Sequence, residues 1–134
     1  MDNKNIVANS YADLFLQAGN LLNSSFQEIK TKYADYPHCE INYFENGEND
    51  KSIEIRFDKE EVTTTCTFNV DEISDFIILF PDKEETIHGF ISYLAKAYDY
   101  DFIKTRWITP DYFIKVKEMS QAVCDIGFVF ISKM

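Results

Sequence analysis

Glycine is scarce in this 134-residue chain: four residues, at positions 19, 47, 89 and 127, that never cluster. Neither G-x-x-x-x-G-K nor G-x-G-x-x-G occurs, which excludes the glycine-rich loops that cradle phosphate groups. Three prolines beside so few glycines leave little room for long loops. Histidine is scarcer still, with His38 and His88 alone. A zinc site or a Cys–His nucleophile would need ligands converging from distant segments, and nothing in the spacing argues for either. Both histidines are therefore read as structural. Cys39, Cys66 and Cys124 are odd in number and form no C-x-x-C pair. They read as small core residues in a reducing compartment rather than as a disulfide framework. No run of 18 apolar residues occurs, so no membrane span is expected. The opening MDNKNIVANS has an acid before its first Lys and no apolar stretch, and predicts no signal peptide. A cytosolic location is the expectation.

Positive charge is also in short supply: 13 Lys and Arg stand against 23 Asp and Glu, a net charge of −10. The imbalance is local. Residues 40–85 hold 14 acids and 4 bases, whereas 1–39 and 86–134 are within one charge of neutral. Such a field repels nucleic acid and anionic membrane and attracts basic partners, although acidity also serves solubility alone.

What is abundant is apolar mass. A hydrophobic content of 46% with twelve Phe and eight Tyr supports a sizeable core, so a single α+β domain over residues 1–134 is expected and disorder is not. Val7, Tyr11, Leu14, Phe15, Ala18, Leu21, Leu22, Phe26, Ile29 and Tyr33 keep a three-four spacing. They predict a helix from residue 5 to about 34, with Gly19-Asn20 and Ser24-Ser25 marking a kink or break. Cys39–Phe44, Ser52–Asp58 and Val62–Val70 alternate in polarity and read as an antiparallel meander with one buried and one wet face. Phe76–Phe80, apolar throughout, reads as a strand covered on both faces. Asp82 reads as an N-cap with Glu85 at N3 for a helix to about residue 98. Residues 102–108 read as strand or loop. Thr109-Pro110 reads as the opening of a third helix, with Phe113, Val116, Met119, Ser120 and Val123 inward and Gly127 closing it. Residues 128–132 read as a last strand. The expected architecture is α+β: a mainly antiparallel sheet, a meander of three to four strands plus a C-terminal strand, with about three helices on one face.

The stretch ENGENDKS (45–52) offers Glu45, Glu48 and Asp50 around Asn46-Gly47. As an EF-hand it fails, because Gly47 is out of register and strands flank it. It reads as a hairpin loop whose Gly47 permits positive φ. The pairs Glu60-Glu61, Asp71-Glu72 and Glu84-Glu85 sit at turns or a helix start, where solvent gives no means of splitting their pKa values for acid–base work. No metal, cofactor or catalytic set is expected. In an up-and-down meander the first and third turns share one end, which would bring Glu45, Glu48 and Asp50 beside Asp71, Glu72 and Asp75. A second candidate docking surface is YDYDFIKTRW (98–107), which interleaves Tyr98, Tyr100 and Trp107 with Asp99 and Asp101, the residue types interfaces use against basic partners. These eleven residues are the expected partner-binding set. The function they suggest is a non-enzymatic binding protein, most concretely an immunity or inhibitor protein that neutralises a basic toxin such as a nuclease. The alternatives are an acidic dimeric chaperone for a secreted or aggregation-prone client, or a small-ligand enzyme using His88 or tyrosines beneath the sheet. Oligomeric state and strand order are not encoded in these patterns.

Overall fold

The computed structural model describes the backbone of residues 3–45, 48–118 and 126–133, with side chains from residue 11 onward apart from those of 42–50. Helices α1 (Asn3–Leu21) and α2 (Phe26–Lys32) precede four strands: β1 (His38–Glu45), β2 (Glu48–Phe57), β3 (Val62–Phe68) and β4 (Ser74–Pro81). Helix α3 (Glu84–Ala97) then leads into β5 (Asp99–Asp101), β6 (Arg106–Ile108), β7 (Tyr112–Glu118) and β8 (Ile126–Ser132). All eight strands join one antiparallel sheet in the order β1-β2-β3-β4-β8-β7-β6-β5. The fold is α+β as expected, but a meander of three to four strands undercounts the sheet. Two four-stranded meanders meet at β4 and β8.

The break after α1 has a specific cause. Asn23 takes φ 64°, and the backbone between the helices, besides weak bonds back to the end of α1, bonds to the β3–β4 turn and the start of β4. Asn23 N–H donates to Ser74 O at 3.0 Å, Ser74 N–H to Ser24 O at 2.8 Å and Phe26 N–H to Glu72 O at 2.9 Å. The Ser74 hydroxyl donates to Leu21 O, satisfying a carbonyl at the end of α1. Ser25 and Glu28 then form a capping box that restarts the chain as α2.

One sheet face is packed by helices. Ile53, Ile55, Val62, Cys66, Ile77, Leu79, Ile114, Phe128 and Phe130 point to this side and are buried. Phe15 of α1 sits among them, with ring centroids 4.9 Å from Phe90, 5.3 Å from Tyr93 and 5.6 Å from Phe130. Over β2 and β3, Tyr33 meets Phe57 and Phe26 meets Phe68. Two helical glycines admit aromatic rings: a Cβ on Gly19 would lie 2.5 Å from the Tyr112 ring, and one on Gly89 would lie 2.7 Å from the Tyr11 hydroxyl. Gly19 is thus a contact point inside α1, and the helix continues past it to Leu21.

Several expectations are corrected. Tyr112–Glu118 is strand β7, not the start of a third helix. Thr109-Pro110 opens a tight turn instead, in which the Thr109 hydroxyl donates to Tyr112 O at 2.8 Å and accepts Tyr112 N–H at 3.0 Å. Phe113 and Val116 consequently face opposite sides of the sheet, while Met119, Ser120 and Val123 lie outside the described residues. Gly127 lies within β8. Helix α3 begins at Glu84 with Lys83 at its N-cap, because the Asp82 carboxylate is taken by Arg56. Among the described residues, helices cover Phe76–Phe80 on one face, where Ile77 and Leu79 are fully buried; on the other face Ile78 is also buried, at 9% exposed, whereas Phe76 is 40% exposed. Cys66 is a core residue, Cys39 is exposed on edge strand β1, and Cys124 is outside the described residues.

Phe15→Ala is expected to lower the free energy of unfolding by about 3–5 kcal/mol, as truncation of a fully buried ring does. Intrinsic helix propensity favours alanine over glycine by about 1 kcal/mol, yet Gly19→Ala should destabilise, because the new methyl collides with Tyr112. Urea unfolding of both variants checks this, and a stabilised Gly19→Ala would contradict the packing described.

Candidate functional site

The antiparallel registers bring the β1–β2 and β3–β4 turns to the same end of the sheet. The first hairpin continues past its neighbour: β3 pairs with β2 from Ser52 to Phe57, while residues 48–51 pair with β1 only. Glu45 stands opposite Glu48 and Asp50 opposite Tyr43 in this extension; their side chains lie outside the described set. The β3–β4 turn is held by Asn69, whose side-chain oxygen accepts the N–H groups of Asp71 at 3.0 Å and Ile73 at 3.1 Å. Glu72 adopts φ 60°, a conformation costly for a side chain with a Cβ and compensated by this network. Its carboxylate pairs with Lys51, which ties the two turns together. Asp71 is exposed, and Asp75 accepts a hydrogen bond from the Thr67 hydroxyl at 2.8 Å.

A second acidic group, not foreseen from the sequence, occupies the opposite end. There the β2–β3 turn brings Asp58, Glu60 and Glu61 against Asp82, Glu84 and Glu85 at the start of α3, with Asp82 N–H donating to Glu61 O at 2.9 Å. Among the described residues this end is the more fully compensated. Arg56 forms a bidentate pair with Asp82 at 2.8 and 2.5 Å and also reaches Asp58 at 3.1 Å, while Lys83 pairs with Glu61 at 2.8 Å. The Arg56 guanidinium holds the Asp82 carboxyl below its ordinary range, and the same bond pushes Arg56 up. The acidity of residues 40–85 therefore divides between two ends of the sheet.

The stretch 98–107 lies at the far edge, where β5 is seven inter-strand spacings, roughly 34 Å along the sheet at about 4.8 Å each, from β1. It is not brought beside the acidic turns. Trp107 is 6% exposed and faces the core, with Tyr100 edge-on to it at 5.0 Å. The tyrosine at 98 lies among Tyr93 and Tyr112, whose hydroxyls are held above their ordinary pKa by burial and then by Tyr98. Asp101 accepts N–H groups of its own turn from Ile103 and Lys104, and Asp99 is exposed. The sequence reading passes over Phe102 and Ile103, 84% and 93% exposed at the turn tip.

It also passes over the helix-free face. On β4, β8, β7 and β6 this face carries Phe76, Ile78, Val129, Ile131, Phe113 and Ile108, next to the threonines of β3; Ile78 and Val129 at its centre are 9% and 8% exposed, Phe76 and Ile108 40% and 38%. The signal is present: Phe76–Phe80 and residues 128–131 are apolar at consecutive positions, so each strand must present apolar side chains to both faces.

Other constellations are modest. A cleft of about 280 Å³ at the β1–β2 edge is lined by His38, Cys39, Glu54 and Arg56 among others. The Cys39 thiol lies 3.7 Å from Glu54 and is held above its ordinary pKa by desolvation and by that carboxylate, which disfavours a nucleophilic thiolate. Burial pushes the Cys66 thiol up to about 12. His88 is exposed and lies 3.6 Å from Glu84 one turn earlier. Among the described residues no group of three His, Cys, Asp or Glu side chains is placed to hold a metal ion, and no helix is long and apolar enough to cross a membrane.

The Arg56–Asp82 bond makes a pH prediction. A carboxyl whose pKa is depressed on folding stabilises the native state above its unfolded value and loses that contribution as pH falls through the folded one. The wild type should thus exceed the Asp82→Asn variant in stability by on the order of 1 kcal/mol at pH 7, the scale of a solvent-screened bidentate pair. In urea titrations of the two proteins the gap should narrow below about pH 4; a gap constant from about pH 7 to about pH 2 would remove the ion pair as its source. No protein-family model, curated protein or solved structure matches this chain.

Proposed function

We propose that this chain is a non-enzymatic, acidic protein-binding protein of the cytosol, and most concretely an inhibitor or immunity protein that holds a basic toxin such as a nuclease. The observation that carries this reading is the shared end of the first and third turns, where Lys51 and Glu72 join two acidic loops. Glu45, Glu48, Asp50 and Asp71 come from that end with one lysine among them. Like charges brought to one end of the sheet repel one another, and a cationic partner relieves that repulsion while being steered by the field. Carboxylates arrayed on a rim can occupy the phosphate subsites of a nuclease. In this reading Trp107 and Tyr100 support the edge hairpin from within, and Asp99 with the Phe102-Ile103 tip is what that edge offers a partner.

A second reading, a chaperone for an aggregation-prone client, draws support from the apolar helix-free face. It would bind extended apolar segments with little dependence on salt.

The experiment is capture of partners from the native cell, with Glu45, Glu48, Asp71 and Glu72 changed together to their amides. The proposal expects a basic protein that is retained by wild type, released as salt rises, and bound at least about tenfold more weakly by the quadruple variant. Unchanged partner affinity in that variant would overturn the acidic docking surface. Salt-insensitive capture of unfolded clients would favour the second reading.

A further inference from the structure

The helix-free face is ordered by charge as well as by polarity. One row of residues crosses it, set by the strand registers: Cys39 on β1, Glu54 on β2, Thr65 on β3, Ile78 on β4, Val129 on β8 and Lys115 on β7, continued by strand alternation to Arg106 on β6 and its partner Asp101 on β5. From Glu54 it runs through threonine and two aliphatics to two cations, with Asp101 beyond them at the edge. The neighbouring row repeats the apolar centre, with Phe76 beside Ile131 and Phe113.

The cationic end, Lys115 and Arg106, forms no ion pair among the described residues, because the carboxylate of Asp101, opposite Arg106, accepts the N–H groups of its own turn instead. The Arg106 guanidinium lies 3.5 Å from the centre of the Phe113 ring, and its Nε is buried without a hydrogen bond among the described residues. A buried guanidinium N–H left unbonded carries a desolvation penalty that a carboxylate would remove. At the other end Glu54 accepts nothing stronger than the Cys39 thiol at 3.7 Å among the described residues.

We propose that this face is an interface with a second copy of the chain, the two sheets packing outer face to outer face about a twofold axis parallel to β4 and β8. That rotation exchanges the two ends of each row. It lays Ile78 over Val129 of the partner subunit, Thr65 over the partner's Lys115, and Glu54 over the partner's Arg106. The alternative twofold, perpendicular to the strands, would set Lys115 and Arg106 against their own copies and is opposed by charge. From β2 to β6 the face spans about 24 Å at about 4.8 Å per strand and about 20 Å along the strands. Its projected area of about 480 Å² lies below the roughly 800 Å² per partner of a standard interface and fits a dimer of modest affinity. An aligned pair of sheets is an ordinary packing, with layers about 10 Å apart. This proposal does not depend on the acidic turns, which lie at one end of the sheet, outside the row.

Sedimentation of the full chain over about 1–100 µM, on wild type, Glu54→Arg, Arg106→Glu and the double swap, tests it, with the far-ultraviolet spectrum and urea midpoint reporting folding. The expected result is a wild-type dimer, dissociation constants raised at least about tenfold in each single swap, and recovery to within about threefold of wild type in the double. Full monomer in wild type at about 100 µM would overturn the proposal and leave the face to a different protein. So would a dimer indifferent to the single swaps, or one that the double swap fails to restore while remaining folded.

Discussion

Phe15 is the residue on which the arrangement turns. Its ring meets Phe90 and Tyr93 of α3 and Phe128 and Phe130 of β8, so one side chain of α1 fixes two helices against the middle of the sheet. Aromatic pairs at these distances add directional preference to the burial of large apolar area. Helices that dock over β4 and β8 from one side leave the opposite side without a helix among the described residues. The open face is thus a consequence of where the core lies, and its apolar centre sits directly behind the aromatic cluster. Gly19 and Gly89 belong to the same arrangement, since each lets a tyrosine ring lie against a helix backbone at a distance that no other residue permits.

Charge is arranged by the ends of the strands rather than by the sequence segment that contains it. The acids of residues 40–85 alternate between the two ends because the chain reverses at each turn. At one end Arg56 gathers Asp58 and Asp82 and hydrogen-bonds to Thr63, a compact network that also settles where α3 begins. At the other, compensation comes from Lys51, and Asp71 stays exposed to solvent. This contrast gives a physical ground for the stabilising role of the Arg56 end, and it is the ground on which the proposed function places recognition at the other. The Ser24–Ser74 connections fasten that second end to the helix layer, so its turn is presented on a rigid support.

Much of the architecture is legible wherever one periodicity rules. The threonine-rich β3 alternates without exception, and the amphipathic α3 follows its three-four stripe through Ile87, Phe90 and Leu94. The reading fails where two signals compete. In residues 109–118 a Thr-Pro start resembles a helix opening, yet YFIKVK also alternates, and pairing with β8 decides in favour of the strand. Ser25 and Glu28 carry a visible capping-box spacing, but the continuous apolar stripe around it outweighs that signal. Asp82 has the right offset from Glu85, and no local pattern reveals that Arg56, 26 residues earlier, claims its carboxylate. For the site, alternation tells which turns share an end; it does not tell that Trp107 faces the core, since that depends on where β6 pairs.

The strand order also bears on how the chain reaches this state. Strand β8 follows the seven others in sequence, yet it lies at the centre of the sheet between β4 and β7. The first meander can form from near neighbours, and so can the hairpins of β5 to β7, but each would keep an exposed strand edge until β8 arrives. Its pairing with β4 joins positions about 50 residues apart, a loop closure that slows the final step. During synthesis a half-sheet with apolar side chains on both faces of β4 therefore waits for its last strand, a state open to mispairing with other chains. The acidic turns that flank this waiting edge, and the like charge they carry on every copy, act as gatekeepers against that association before they can serve any partner.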